Sequence, residues 1–218
     1  GVRYGPHVVG GVVNFATRAI PKDFGIEAGT EGSYSPTSGQ NHPKGTSNLM
    51  IGGTADNGLG GALLYSGTRG SDWREHSATK IDDVMLKTRY APNEVHTFNS
   101  LLQYYEGRAE MPGGLSRADY NADRFQSMRP YDEFWGRRQL ASLGYQYQPD
   151  PQHKFNIQSF YTYTLSSGFL DQSKNLTLSP RQGWVRGIDL RSTQSFNLGQ
   201  TAPKVGVGTL YASEPPDG

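Results

Sequence analysis

The side chains that most often take part in catalysis or bind metal ions are scattered along this chain. Its five histidines lie at His7, His42, His76, His96 and His153, without the spacing that brings two imidazole rings onto one metal ion. Cysteine is absent, which excludes a thiolate zinc site and a disulfide framework. Neither a Gly-x-Ser-x-Gly nucleophile motif nor a phosphate-binding loop occurs. We therefore predict that the chain is not an enzyme, holds no metal and needs no cofactor.

Two pairs of adjacent carboxylates also fail to predict acid–base chemistry. They are Asp82-Asp83 and Asp132-Glu133. Neighbouring residues of a strand point to opposite faces, and neighbouring carboxylates of a loop are usually solvated. Neither pair is therefore expected to act as a couple, and each histidine is expected to lie in a loop or at the surface.

The first part of the chain carries a more specific pattern. Gly5-Pro6 indicates a turn, and Gly10-Gly11 precedes a β-branched and aromatic run at residues 12–15. From these residues alone, an ordinary strand after a glycine turn is an equal alternative. The whole series of R-Y-G-P, G-G-V-V-N-F, T-R and I-P between Arg3 and Pro21 resembles the end of the plug domain in TonB-dependent outer-membrane transporters.

Other stretches resemble the ferric citrate branch of that family in Gram-negative bacteria. These are GGTADNG at 52–58, LYSGTRGSDWR at 64–74, MPGGLS at 111–116 and LSPR at 178–181. The resemblance covers nearly the whole chain and fades after about Gly208. It implies that residues 1–22 are the C-terminal end of a plug domain and its linker. Residues 23–218 would then be the N-terminal part of a transmembrane β-barrel, which this chain leaves incomplete.

The resemblance also implies where a ligand binds. An iron–citrate complex is anionic and already saturated with oxygen ligands, so its receptor needs guanidinium groups and hydrogen-bond donors. Arg181 matches a position where the ferric citrate transporters place a ligand-contacting arginine, with a solvated loop arginine as the alternative. Ser166 stands where the pattern of that branch has a second arginine, and the lost charge brings citrate specificity into question. Arg186 is predicted either to compensate or to have a structural role in its strand.

The function implied by the resemblance is import of a ferric chelate. The receptor would bind ferric citrate or a related ferric siderophore at extracellular loops and pass it inward when the TonB complex pulls on the plug. Its location would be the outer membrane of a Gram-negative bacterium, among lipid and lipopolysaccharide. The alternatives are a passive receptor, adhesin or porin-like barrel, a transporter of the same family for another siderophore, and a secreted β-rich binding protein. The plug-exit motif disfavours a passive barrel, and long loops at one end disfavour a secreted protein.

The composition is compatible with a membrane barrel. Only 34% of the residues are hydrophobic, mean hydropathy is −0.65, and no apolar run approaches the roughly 20 residues of a membrane helix. Barrel strands average out as polar because only alternate residues face lipid. The 28 glycines and 13 tyrosines suit turns and aromatic girdles, although a soluble β-sandwich shares that composition. A net charge of +1 without a clustered basic face predicts no nucleic-acid partner.

Alternation of apolar and polar residues predicts about nine strands. The predicted strands are 23–35, 46–55, 60–68, 79–90, 95–105, 137–148, 154–165, 184–198 and 205–211. Short turns at 56–58, 91–94, 149–151 and 200–203 alternate with loops at 36–45, 70–78, 106–136 and 166–183. Outer-membrane barrels have this asymmetry, with periplasmic turns and long extracellular loops. We therefore predict an all-β fold, an antiparallel transmembrane β-barrel. By the resemblance, these are the first strands of a plugged barrel of about 22.

One short helix is expected inside the longest loop. Ser116 followed by Asp119 resembles a capping box, in which each side chain binds the backbone N–H of the other residue. The predicted helix lies within residues 116–125.

Overall fold

The computed structural model describes residues 17–37, 40–169, 177–195 and 204–213, and within them the chain forms one nine-stranded sheet. Every strand pairs antiparallel with its neighbours in sequence, so the strand order is the chain order. The strands are β1 (Gly25–Thr37), β2 (Gln40–Thr54), β3 (Leu59–Ser71), β4 (Ala78–Tyr90), β5 (His96–Glu110), β6 (Glu133–Tyr147), β7 (His153–Phe169), β8 (Thr177–Ser195) and β9 (Lys204–Ser213). The predicted all-β fold and the predicted number of strands are confirmed.

The sheet has one apolar face and one polar face. On the apolar face, Leu63, Leu86 and Leu102 lie directly opposite one another on β3, β4 and β5, and they are 43%, 41% and 49% exposed. On the polar face, a corresponding row crosses six strands through Asn48, Ser66, Asp83, Tyr105, Arg138 and Thr164. Among the described residues, Met50 and Ala62 are the only buried hydrophobic ones. The apolar side chains therefore do not pack into a core of this sheet.

Three short turns among the described residues join strands at one end of the sheet, and each of the three is stabilised by one polar side chain. The fourth predicted turn, at 200–203, lies outside the described residues. Asn57 Oδ1 accepts a hydrogen bond from the Leu59 N–H in the β2–β3 turn. Asn93 Oδ1 accepts from two backbone N–H groups in the β4–β5 turn, as does Asp150 Oδ1 in the β6–β7 turn. Such side chains reproduce the backbone hydrogen bond of a turn. Gly58 has a φ of +80°, which an L side chain rarely adopts.

The predicted short helix is present as α1 (Arg117–Ala122) in the β5–β6 loop. The capping box is also confirmed, because the Ser116 hydroxyl accepts from the Asp119 N–H while the Asp119 carboxylate accepts from the Ser116 N–H. Within the described part of the chain, no helix has the length and apolar character needed to cross a membrane.

Two of the predicted loops are wrong in large part, because the strands continue through them. Pro36 lies opposite Asn41 in the β1–β2 ladder, and Tyr34 lies opposite Pro43. In the β7–β8 ladder, Ser166 lies opposite Arg181. Strands β5 and β6 likewise extend into the predicted loop at 106–136. Proline, serine and glycine favour loops locally, but a ladder of inter-strand hydrogen bonds overrides that weak preference.

The predicted boundary between plug and barrel lies close to the start of β1 at Gly25. Most of the predicted plug segment, residues 1–16, lies outside the described residues. The end of the predicted linker contacts the sheet, where the Thr54 hydroxyl donates to the Pro21 carbonyl at 2.7 Å and the Thr54 N–H donates to the Lys22 carbonyl at 3.0 Å. The assignment of residues 1–22 to a plug stays a prediction.

Candidate ligand-binding face and membrane face

The longer loops lie at the end of the sheet opposite the short turns, and two of them pack together. The Arg74 guanidinium, in the β3–β4 loop, donates to the carbonyls of Gly113 at 2.5 Å, Gln126 at 2.8 Å and Pro112 at 3.2 Å in the β5–β6 loop. The Glu75 N–H donates to the Phe125 carbonyl at 2.8 Å. Trp73 meets the Phe125 ring edge to face, with centroids 6.1 Å apart. The two loops therefore form one structural unit.

The same unit contains the most buried charged side chain among the described residues. Asp132 is 2% exposed, and its Oδ2 accepts from the Arg129 guanidinium at 3.1 Å while its Oδ1 has no partner in the described part of the chain. The His76 ring contacts the Asp132 carbonyl at 2.6 Å through Nε2. The prediction that Asp132 and Glu133 are solvated is wrong, since Glu133 is also bound by the Arg108 guanidinium at 2.5 Å. Non-local loop packing buries Asp132, whereas Glu133 is half-buried and paired with Arg108.

The other expectations for acidic and histidine residues are partly confirmed. Asp82 and Asp83 lie on opposite faces, Asp82 bound to Arg69 and Asp83 to Gln103. His42 was expected in a loop or at the surface, but it lies on β2, is 8% exposed and contacts the Ser71 hydroxyl at 3.0 Å. In the ranges that the structure describes, no group of three or more acidic, histidine or cysteine side chains is placed to hold a metal ion.

The polar face carries a connected set of hydrogen bonds toward the loop end. The Gln103 amide donates to both carboxylate oxygens of Asp83 at 2.9 Å. The Arg138 guanidinium donates to the side-chain Oε1 of Gln103 at 3.2 Å and lies 5.9 Å from the centre of the Tyr105 ring. These contacts hold Arg138 on the polar face of β6.

One predicted site residue, Ser166, lies on this face. Ser166 on β7 lies opposite position 181 on β8 and opposite Gly136 on β6. The register is irregular between Ser166 and Gly168, at the loop end of the ladder. Gly183, the next same-face position on β8, has open space where a side chain would begin, with no atom within 4 Å. Small residues therefore leave room on this face beside position 181.

Arg138 belongs to the same area of the polar face, and our sequence reasoning missed it. It lies opposite Thr164, one same-face position before Ser166 on β7. The signal was present in the sequence, because the predicted alternation of β6 places Arg138 with Ser142 and Gln146 on the polar side.

Arg186 lies elsewhere. It is opposite Tyr161 on the apolar face, and its guanidinium is 5.0 Å from the centre of the Trp184 ring. The structure does not bring it together with Ser166 and position 181. That it compensates for the missing arginine stays a prediction, whereas its stacking on Trp184 is the kind of contact that a structural role requires.

Leu63, Leu86 and Leu102 form a leucine belt across the apolar face, and aromatic residues lie on both sides of this belt. Toward the turn end, neighbouring rings have centroids 4.9 to 6.4 Å apart, in a group formed by Tyr90, His96, Phe98, Tyr145, Tyr147 and Phe155. Toward the loop end, the Tyr65 hydroxyl donates to Asp82 at 3.0 Å and the Tyr104 hydroxyl donates to Glu106 at 2.6 Å. Rings in an apolar belt with hydroxyls at its polar edge are typical of a lipid–water boundary.

An antiparallel sheet in chain order, with turns at one end and an exposed apolar belt between aromatic bands, defines part of a membrane-type β-barrel. No model of a known protein family matches the chain. Among solved structures, the chain is similar to the crystal structure of the ferric citrate transporter FecA in its unliganded form. The sequence identity is 75% over 98% of this chain, and the TM-score is 0.91. The predicted resemblance to the ferric citrate transporters and the partial barrel are therefore confirmed.

The match covers 32% of the FecA chain, so this chain spans about a third of the length of the transporter that it matches.

Proposed function

We propose that this chain is part of an outer-membrane receptor that binds a ferric chelate, first of all ferric citrate, and imports it with energy from the TonB complex. The observation that carries the proposal is the 75% identity to the ferric citrate transporter FecA across 98% of the chain. The apolar face would contact the lipid of a Gram-negative outer membrane, with the long loops extracellular and the short turns periplasmic. Import changes no covalent bond of the chelate, so the protein would act as a transporter and not as an enzyme.

The path of the linker supports a plug behind the polar face. The Lys87 ammonium, on the polar face of β4, donates to the Thr17 hydroxyl at 2.8 Å and also to the Arg18 carbonyl. The Arg18 guanidinium binds the Glu27 carboxylate, on the polar face of β1, at 2.6 Å. The chain therefore approaches β1 across the polar face. In a closed barrel, that face would line the lumen where a plug is held.

The chemistry of the proposed site follows from its charge. A ferric citrate anion offers carboxylate oxygens as acceptors, and a guanidinium can bind them in pairs. Arg181 and Arg138 would supply these groups from β8 and β6, and Ser166 would supply a hydroxyl between them. Since Ser166 removes one positive charge relative to the branch pattern, the second candidate is a transporter of the same kind for a less highly charged ferric chelate.

Calorimetric titration of the full-length protein in detergent tests this proposal. Ferric citrate and a panel of other ferric chelates would be titrated into the wild type, Arg181→Ala and Arg138→Ala. Arg89→Ala is the matched control, because Arg89 lies on the polar face of β4 near the turn end. Micromolar or tighter citrate binding that both site variants weaken and the control preserves would support the function and the site. Binding of another chelate in place of citrate would exclude the citrate assignment.

A further inference from the structure

The segment at residues 17–22, which we call the linker segment, is bound to the sheet at both of its ends. At the first end, the Lys87 ammonium on β4 donates to the Thr17 hydroxyl at 2.8 Å and also to the Arg18 carbonyl. One side chain of the sheet therefore fixes two successive residues of the linker segment.

The surroundings of Lys87 make this contact important to both partners. Lys87 is half-buried on the polar face. The residues directly opposite it are Ala62 on β3 and Leu101 on β5, and their side chains offer no hydrogen-bond acceptor. A half-buried ammonium that lacks acceptors is costly, so the oxygens of the linker segment stabilise Lys87 while Lys87 holds the segment.

The second end of the linker segment is bound by Thr54, the last residue of β2. Its hydroxyl donates to the Pro21 carbonyl at 2.7 Å, and its backbone N–H donates to the Lys22 carbonyl at 3.0 Å. The Thr54 amide is therefore protected by the linker segment and not by a neighbouring strand. Exchange of this amide reports whether the segment is seated.

Between these two ends, the linker segment lies directly on β3. A Cβ atom added at Gly60 would lie 3.2 Å from Cγ2 of Ile20 and 2.8 Å from the Thr54 hydroxyl oxygen. A residue with a side chain at position 60 would therefore push the segment away from the sheet. The contacts at Lys87, Gly60 and Thr54 lie on three consecutive strands, so the segment runs across the strands.

This path determines where a pull on the preceding chain is resisted. Force that enters before Thr17 meets the Lys87 contact first and the Thr54 contacts next. Only after both have opened would it reach β1, whose ladder with β2 begins at Gly25. Ladders fray from their ends, so β1 without these contacts would be pulled from the sheet one pair at a time.

We propose that Lys87, Gly60 and Thr54 form a clamp that stays closed during import, so that the pull of the TonB complex ends at Thr17 and never reaches β1. This inference rests on the TonB-coupled import in the proposed function. It adds the point at which the pulled segment is fixed to the barrel.

Amide hydrogen exchange of the full-length protein tests whether Lys87 holds the linker segment. Lys87→Met keeps the apolar stem and removes the donor. We expect exchange at the Thr54 amide to become about tenfold faster, because the segment loses its hydrogen bonds to a charged group at the first end. Lys87→Arg keeps a charged donor and should restore slow exchange.

Lys154→Met is the matched control. Lys154 is also a half-buried lysine on the polar face, but it lies on β7, three strands away from Lys87. We expect it to leave exchange at Thr54 unchanged. Far-UV circular dichroism would establish that every variant is folded.

Cross-linking tests whether the clamp stays closed during import. Thr17→Cys combined with Lys87→Cys places two thiols in a chain that has no cysteine of its own, and 1,2-ethanediyl bismethanethiosulfonate joins them. We expect cells to import iron from ferric citrate at the same rate before and after the cross-link is reduced, since the link spans a contact that does not open.

Two results would overturn the clamp. One is unchanged exchange at Thr54 in Lys87→Met, which would show that Lys87 does not hold the linker segment. The other is import that the cross-link stops and reduction restores, which would show that the segment leaves the sheet. The exchange measurement uses no chelate. A protein that imports no ferric citrate would therefore lose the proposed function, and exchange at Thr54 alone would then decide the clamp.

Discussion

Replacing Arg74 by methionine is expected to open the unit formed by the β3–β4 and β5–β6 loops. The guanidinium satisfies three backbone carbonyls, those of Pro112, Gly113 and Gln126, and methionine keeps the apolar stem but donates nothing. Each hydrogen bond from a charged group contributes about 1.5 to 3 kcal/mol. Since Arg74 is only half-buried and water can replace some of these bonds, we expect a total loss of about 2 to 4 kcal/mol in local stability.

Amide hydrogen exchange of the full-length protein measures this loss directly. The Glu75 N–H donates to the Phe125 carbonyl and the Met128 N–H donates to the Pro112 carbonyl, so both amides report on the loop unit. A loss of 2 to 4 kcal/mol corresponds to exchange that is about thirtyfold to several hundredfold faster. The Ala91 N–H, bonded to the Gly58 carbonyl at the turn end, should be unaffected.

Arg124→Met is the matched control for Arg74→Met. Arg124 lies in the same loop, with its guanidinium 4.9 Å from the centre of the Phe125 ring, and it binds none of the three carbonyls. We expect less than about a fivefold change in exchange for this variant, since an exposed cation–π contact contributes only about 0.5 to 1 kcal/mol. Equal exchange rates at Glu75 and Met128 in the wild type and Arg74→Met would refute the view that Arg74 holds the loops together.

Three further outcomes are expected. Ser166→Arg should strengthen ferric citrate binding by about tenfold in calorimetry, because it adds a charge-assisted hydrogen bond opposite position 181, and an unchanged affinity would show that Ser166 lies outside the site. Gly58→Ala should lower the unfolding midpoint in denaturant, because its φ is +80°, whereas Gly29→Ala, in open space, should not. The pKa of Asp150 is lowered chiefly by its hydrogen bond with the His153 ring, and further by hydrogen bonds from the backbone N–H groups of Gln152 and His153. The stabilisation from Asp150 is therefore present above its unfolded pKa of about 3.9 and is lost as pH falls through the lower folded value. Asp150→Asn should flatten that acid-side decline, and an identical pH profile would contradict it.

The strands were predictable because their pattern is local. In β4, Val84 and Leu86 alternate with Asp83 and Lys87, and the structure places the two sets on opposite faces. The ends of the strands were less predictable. Pro36, Pro43 and Ser166 favour a loop when judged by their neighbours in sequence, yet each lies opposite a partner in a ladder. Pairing depends on the neighbouring strand, and the preferences of single residues carry no information about that strand.

The burial of Asp132 shows that loop packing, too, could not be predicted from the local sequence. Its partner Arg129 is three residues away, but its backbone is held by His76, more than fifty residues earlier in the chain. No local pattern indicates a contact between segments so far apart in sequence. Arg138 differs, because its alternation with Ser142 and Gln146 is a local signal that the sequence itself carries.

Arg181 was assigned to the proposed site because of the family resemblance and not because of residue spacing. The sequence alone assigned it to a loop, and the structure places it in the β8 ladder opposite Ser166. Arg186, five residues later, lies on the apolar face opposite Tyr161, and side chains alternate along a strand. A predicted strand at 177–195 would have assigned positions 181 and 186 to opposite faces. The error in the loop prediction therefore also left open whether the two arginines belong to one site.

Uptake of radioactive iron is the most direct test of the proposal that this protein imports ferric citrate with energy from the TonB complex. Cells that lack other routes for ferric citrate would express the full-length protein, with and without a functional TonB complex, and receive iron as citrate or as another chelate. We predict uptake from ferric citrate that requires both the protein and TonB, and that Arg181→Ala diminishes. Uptake that continues without TonB would indicate a passive barrel, and uptake only from another chelate would contradict the assignment of citrate as the ligand.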